Sequence, residues 1–282
     1  MKKILVTGAT GFIGAYVIEE LLRKGFTVIA SSSDRNKAAE KTWFNKVTYI
    51  EFDLSKVNND QNYFELFGKP DMMIHLAWEG LPNYKETFHL EINLPRHLAF
   101  LTHLVNNGLT DLSITGTCFE YGMREGCLSE EMDCRPTNPY AMAKNELRIQ
   151  LELLQSRQTF NFKWIRLFYM YGQGQSAKSL ISQLDKALEN DEQEFNMSGG
   201  EQVRDFLPVE KVAEYIVTIA TQKKITGIIN CCSGEPQKVK QFVEDYLVKK
   251  EKTIKLNLGF YPYADYEPMS FWGDDTKLKS IR

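Results

Sequence analysis

Tyr140 and Lys144 stand four residues apart in the stretch Asn138-Pro139-Tyr140-Ala141-Met142-Ala143-Lys144. On a helix that spacing puts both side chains on one face. A free phenol has a pKa of roughly 10 and is a poor base at neutral pH. A nearby ammonium group favours the phenolate and lowers that value. Upstream, the run Leu112 to Thr117 ends in a hydroxyl residue, Thr117, able to hydrogen-bond the same carbonyl or alkoxide. Phenol, ammonium and hydroxyl together suit acid/base catalysis of hydride transfer at a secondary alcohol or ketone. The Tyr/Lys spacing is common by chance, so its weight depends on the elements that would position it.

The first of these elements is at the start of the chain. Lys3-Ile4-Leu5-Val6 has the look of a buried parallel strand. Then comes Thr7-Gly8-Ala9-Thr10-Gly11-Phe12-Ile13-Gly14, and a helix from Phe12 to Lys24 with Val17, Ile18, Leu21 and Leu22 at helical spacing. Gly8 suits a tight turn, Gly11 lets the main chain approach a pyrophosphate, and Gly14 lets helix and strand pack closely. The free amides of the helix N-terminus face the anion. This predicts a dinucleotide site at Gly8, Thr10, Gly11, Phe12, Ile13 and Gly14, with Lys144 also holding the nicotinamide ribose.

Strand and helix patterns then alternate. Further strands are expected at Thr27–Ser31, Val47–Phe52, Met72–Ala77, Leu112–Thr117 and Phe162–Phe168. The longest helical stretches run around Tyr84–Asn107 and Pro139–Gln158, with Pro95 predicting a kink or a late start in the first. This is the rhythm of an α/β, Rossmann-type doubly wound parallel sheet. Residues 1–170 read as the dinucleotide-binding domain. Residues 171–282 read as a smaller, mixed C-terminal substrate lobe, with about 205–230 returning to the first domain.

Cofactor choice is read at the end of the second strand. A carboxylate there would bind the ribose diol of NAD. The chain has Ser32 at that point and Arg35 close behind. Hydroxyl plus guanidinium suits a 2′-phosphate, so NADP(H) is expected, with Asp34 keeping NAD(H) possible. Asp53-Leu54 is placed to meet the adenine, although an Asp there also caps a helix over Asn58–Phe67. Leu76, Ala77 and Trp78 lie at the carboxyl end of the fourth strand, where ligands bind in open sheets, with Glu79 beyond them on the substrate side. His75 lies in an apolar run and reads as a packed core histidine.

Bulk properties narrow the class. The chain has 282 residues and a net charge of −3, which argues against a nucleic-acid or anionic-membrane surface. No apolar run is long enough to span a membrane, and the N-terminus enters a strand directly, so a cytoplasmic protein is expected. Five cysteines lack zinc-site spacing and read as reduced thiols.

With these residues in hand, the chain resembles the extended short-chain dehydrogenases/reductases, in their nucleotide-sugar epimerase/dehydratase/reductase group. TGATGFIG, Thr117, Tyr140 and Lys144 match the family's cofactor turn and active residues. Asn93 matches a helix asparagine that supports the lysine. Arg166 to Gly172 is similar to the strand R-x-x-N-x-Y-G, with Tyr169 in place of the asparagine. Gly199 to Phe206 is similar to G-x-x-x-R-D-F, which makes Arg204 the clamp on the nucleotide diphosphate. The segment around Pro268 to Trp272 is similar to one that closes the sugar-nucleotide pocket. The resemblance implies a nucleotide-sugar substrate and a homodimer.

Among the group's reactions, 4,6-dehydration needs an Asp-Glu pair just after the threonine, where this chain has Cys118 and Phe119. Those two are expected to face substrate with Glu79, Tyr169 and Arg204. A double epimerase–reductase places its cysteine two residues after the hydroxyl, and Cys118 is one after. The expectation is an NAD(P)H-dependent reductase of the 4-keto group of a nucleotide-linked 4-keto-6-deoxyhexose, dTDP-linked by resemblance. The alternative is an NAD-dependent 4-epimerase. A dinucleotide-sensing regulator without catalysis ranks below both, because such relatives lose the Tyr/Lys pair.

Overall fold

The computed structural model describes residues 2–58 and 60–282. Among them, seven parallel strands make the main sheet: β1 (Lys3–Thr7), β2 (Thr27–Ser32), β3 (Thr48–Glu51), β4 (Met72–His75), β5 (Asp111–Thr117), β6 (Asn161–Leu167) and β7 (Gly227–Cys231). Their order across the sheet is β7-β6-β5-β4-β1-β2-β3. The order reverses between β1 and β4, so the crevice for ligand opens beyond the carboxyl ends of those two strands.

Both sheet faces are covered, which is why β1 reads as an unbroken apolar run. Ile4 and Val6 point into a core with α1 (Phe12–Arg23) and α4 (Val209–Thr221). Leu5, between them, points the other way, into a core with α2 (Leu94–Asn106) and α3 (Pro139–Gln155). A third cluster, including Leu184, Phe195 and Phe242, lies under the second half of the chain. It packs beside a three-stranded sheet in the order Pro236–Lys238, Val203–Pro208, Tyr169–Tyr171. The Rossmann-type sheet with smaller mixed C-terminal sheets is the expected fold.

Local departures have local causes. The stretch read as one helix from Tyr84 begins as turns, passes through a wide π-type turn at His89–Asn93, and becomes regular only at Leu94. Pro95 sits in the first turn of α2, where a missing N–H costs nothing. The expected helix over 58–67 is the short Tyr63–Leu66, capped by Asn62; Asn59 lies outside the described residues. Asp53 caps a different turn, Leu54–Lys56, by accepting from Ser55 N at 2.8 Å. The fourth strand ends two residues early, at His75. Among the described residues, no helix is long and apolar enough to cross a membrane.

Candidate active site

The glycine turn closes on itself before any ligand is considered. Gly8 has φ +73°, and a Cβ there would lie 2.7 Å from Ala77 N. A Cβ on Gly14 would come within 2.2 Å of Gly8 O. Any side chain at either position forces the backbone apart, so both glycines are required by close approach. The turn, together with Phe12 and Ile13, forms one wall of a cavity of about 480 Å³.

The opposite wall comes from β5 and α3. Asn138 caps α3 by accepting from Ala141 N at 3.0 Å, and Pro139 occupies the first turn. In that turn and the next, Tyr140 and Lys144 lie buried on the same face. Tyr140 lines the cavity with Thr117, Cys118 and Phe119. Leu76 and Trp78 close its floor from the end of β4. The phenol and the hydroxyl thus line one space with the glycine turn.

Sequence reasoning missed what holds Thr117. Glu120 is fully enclosed and accepts from Thr117 N at 2.8 Å and from Trp164 Nε1 at 3.0 Å. Its other oxygen accepts from Arg166 Nε at 2.9 Å. Thr117 Oγ1 in turn accepts from Phe119 N, closing a reciprocal cap. Gly116 is a glycine for the same reason: a Cβ would lie 2.2 Å from the Trp164 ring nitrogen. The signal was in the sequence, as Glu three residues after Thr. Tyr84 was also missed. Its carbonyl accepts from Tyr140 N at 3.1 Å, and its ring lies 5.5 Å from that of Tyr140. The turn residues Pro82-Asn83 just before it mark it as loop rather than helix.

Lys144 does not do what the spacing suggests in this state. Its ammonium donates to the Thr115 carbonyl at 2.9 Å and lies 4.1 Å from the Trp78 ring centroid. Burial pushes the Tyr140 phenol above its ordinary value, with Tyr84 and Glu120 adding to the rise and the neighbouring Thr117 hydroxyl opposing it. The ammonium expected to acidify the phenol is turned instead to a carbonyl and an indole face. Asn93 donates to the Glu79 carbonyl at 3.0 Å rather than to the lysine. His75 is a core histidine, bonded to Thr7 and His97 at 2.7 Å each, and burial lowers its pKa to about 3.

Burial also lowers Lys144, to about 7, with Glu120 opposing. Between about pH 7 and 10 the unfolded chain then holds a proton that the folded chain has lost, so this group makes stability rise with pH. Lys144→Met should remove that contribution. The stability of the native protein relative to the variant, from urea titration, is expected to be greater at pH 9 than at pH 7 by roughly 2 kcal/mol. A difference independent of pH would contradict a desolvated ammonium.

Other expected site residues lie elsewhere. Glu79 is exposed and pairs with Arg96 at 3.0 Å. Tyr169 lines both the first cavity and an adjoining one of about 510 Å³, where Arg204 and Glu267 also lie. Arg204 meets Glu267 at 3.1 Å, while Asp205 accepts from Ser233 N at 2.7 Å. Ser32 bonds the Tyr49 hydroxyl at 2.9 Å. The Arg35 guanidinium lies 5.7 Å from the Phe44 ring centroid and 5.6 Å from that of Tyr49.

Comparison with known proteins follows from this geometry. A dTDP-6-deoxy-L-talose 4-dehydrogenase (NAD(+)) of Aggregatibacter actinomycetemcomitans is 30% identical over 271 residues, covering 96% of this chain and 98% of that protein. A UDP-glucuronic acid 4-epimerase from Bacillus cereus, solved with UDP-glucuronic acid and NAD, superposes with a TM-score of 0.83 at 21% identity, covering 99% of this chain and 92% of that one. A UDP-glucose 4-epimerase from Stenotrophomonas maltophila with bound NAD gives 0.85 at 17% identity, covering 100% and 92%. The expectation of NADP(H) is corrected by these relatives, whose cofactor is NAD. The physical reason lies at Ser32, whose hydroxyl is bonded to that of Tyr49 and not presented to a 2′-phosphate, while Arg35 rests over the Phe44 and Tyr49 rings. The model of the NAD dependent epimerase/dehydratase family matches residues 4–232, and the chain belongs to that family of NAD-dependent nucleotide-sugar enzymes.

Proposed function

We propose that the chain carries out NAD-linked oxidation and reduction at C4 of a nucleotide-linked hexose. The observation that carries this reading is the single cavity in which Tyr140 and Thr117 face the Gly8–Gly14 turn. Gly11 and the amides opening α1 would hold the pyrophosphate of NAD, and Lys144 its nicotinamide ribose. When bound, NAD takes the hydride from the sugar carbon or returns it. Tyr140 exchanges the proton of the C4 oxygen, and Thr117, fixed by Glu120, orients that oxygen. Buried and protonated, the phenol is poised as an acid; it acts as a base once positive charge is brought to its side. Trp78, Tyr84 and Phe119 wall the space and keep water from the reacting carbon.

Two outcomes share this step. In a 4-epimerase the keto sugar turns in the pocket and takes its hydride back on the other face. The adjoining cavity, sharing Tyr84 and Tyr169 with the first, provides room for that turn. The family model and the epimerases of the same fold support this reading, which we place first. In the second, the keto sugar leaves, giving net 4-dehydrogenation, or ketoreduction with NADH in reverse. The relative at 30% identity, a 4-dehydrogenase, favours it. A homodimer through the outer face of α3, where Met142, Ile149 and Leu153 are exposed, belongs to the same proposal.

The test incubates the protein with NAD and UDP- or dTDP-linked hexoses, following 340 nm absorbance and sugar identity together. A C4 epimer formed without accumulated NADH is the expected result. One NADH per sugar oxidised selects the dehydrogenase. No change with any C4 hydroxyl or ketone sugar nucleotide rejects the shared step.

A further inference from the structure

Arg204 is enclosed in the wall of the outer cavity, at 2% exposure. Its Nη1 donates to the carbonyls of Val203 and Met269 at 2.8 and 3.1 Å. The guanidinium lies 4.5 Å from the Phe271 ring centroid, so its position is fixed. A fixed guanidinium facing a ligand cavity, with Lys178, Ser198 and Gln202 on the same wall, is suited to an anionic group. Here the anion is the chain's own. Glu267 accepts from Arg204 Nη2 with one oxygen and from the Tyr169 hydroxyl with the other.

Glu267 belongs to a strap of turns between Lys255–Asn257 and Phe271–Gly273. The strap crosses toward the first cavity, where the Tyr266 ring lies 6.0 Å from Tyr84 and 6.1 Å from Phe119. Outside, it is tied by the exposed pair Lys85–Asp265. A pair of that kind contributes about 0–1 kcal/mol, so it does not lock the strap. An enclosed ion pair is also a weak source of stability compared with apolar packing. The strap backbone is held on either side, by Phe260 N to Met197 O at 3.0 Å and Val203 N to Met269 O at 2.8 Å, so the group that gives way is the Glu267 side chain, turning out of the ligand cavity.

We infer that Glu267 is a stand-in for the substrate's diphosphate: it neutralises Arg204 in the free enzyme, and a nucleoside diphosphate binds by displacing it. This rests on the nucleotide-linked substrate proposed above. The closed pair reduces apparent affinity by the fraction of molecules in which Arg204 is free, and weakening the pair removes that reduction.

The experiment measures calorimetric affinity for UDP and dTDP, with uridine and thymidine as probes lacking phosphate. Glu267→Gln keeps the shape and removes the charge. It should tighten diphosphate binding about tenfold and leave nucleoside binding unchanged. Tyr169→Phe, which removes the hydroxyl holding Glu267, should tighten it by a smaller factor; it carries the test if the first variant does not fold. Diphosphate binding equal to or weaker than the native protein's, in a folded Glu267→Gln, overturns the inference while leaving the nucleotide-sugar reading standing. Failure of both diphosphates to bind the native protein overturns both.

Discussion

Tyr140→Phe is expected to lower turnover by about 10² to 10⁴ while leaving NAD affinity and folding nearly unchanged. The range is that of a positioned general acid/base. The argument for unchanged folding is packing. Phenylalanine keeps the ring, and with it the contacts to Trp78, Tyr84 and His89 at centroid distances of 6.0, 5.5 and 5.3 Å. Only the hydroxyl facing Thr117 is lost. Single-turnover kinetics, a melting curve and an NAD titration separate the two effects. A fall of less than about fivefold would place the proton transfer on another group.

Glu120→Ala is expected to cost about 3–5 kcal/mol of stability, the cost of breaking a buried ion pair. Three donors lose their acceptor at once: Thr117 N, Trp164 Nε1 and Arg166 Nε. Arg166 is 0% exposed, so its charge cannot reach water. Against a domain stability of about 5–15 kcal/mol, this is a large share. The glutamine variant should fall between, because an amide still accepts one hydrogen bond but leaves the guanidinium uncompensated. Adding Arg166→Met to Glu120→Ala should recover part of the loss, since the unpaired charge then disappears with its partner. Urea titration of the native protein, Glu120→Ala, Arg166→Met and the double variant measures the coupling; additive losses would show that the pair is not the source. Turnover should fall further than stability alone explains, since the reciprocal cap that orients Thr117 is broken.

The chemistry of this site was legible where it depends on local geometry. The strand, the glycine turn and α1 follow from residues 3–24, because the positive φ at Gly8 and the close approach of Gly14 to Gly8 are local, whereas the approach of Gly8 to Ala77 comes from the neighbouring strand. Tyr140 and Lys144 share a face because four residues make about one helical turn. Position in space was less legible. The orientation of Lys144 toward Thr115 and Trp78 depends on β4, β5 and α3 packing together, which spacing along one helix does not encode. Cofactor choice failed for the same reason: Ser32 has the right chemistry for a 2′-phosphate, but the Tyr49 hydroxyl, on the next strand, bonds it first. Glu120 sat in plain sight as a capping residue, but its partners Trp164 and Arg166 lie more than forty residues away. Glu267 is further still from Arg204, on a segment whose turns carry no periodic signal.

The central claim is that hydride leaves or reaches C4 of the sugar inside the Tyr140 cavity. Stopped-flow absorbance at 340 nm, with NAD and a nucleotide hexose carrying deuterium at C4, tests it most directly. The account predicts transient formation of NADH, slowed by the deuterium, and its loss in Tyr140→Phe. NADH formed at the same rate with and without deuterium at C4, but slowed by deuterium at another carbon, would contradict it.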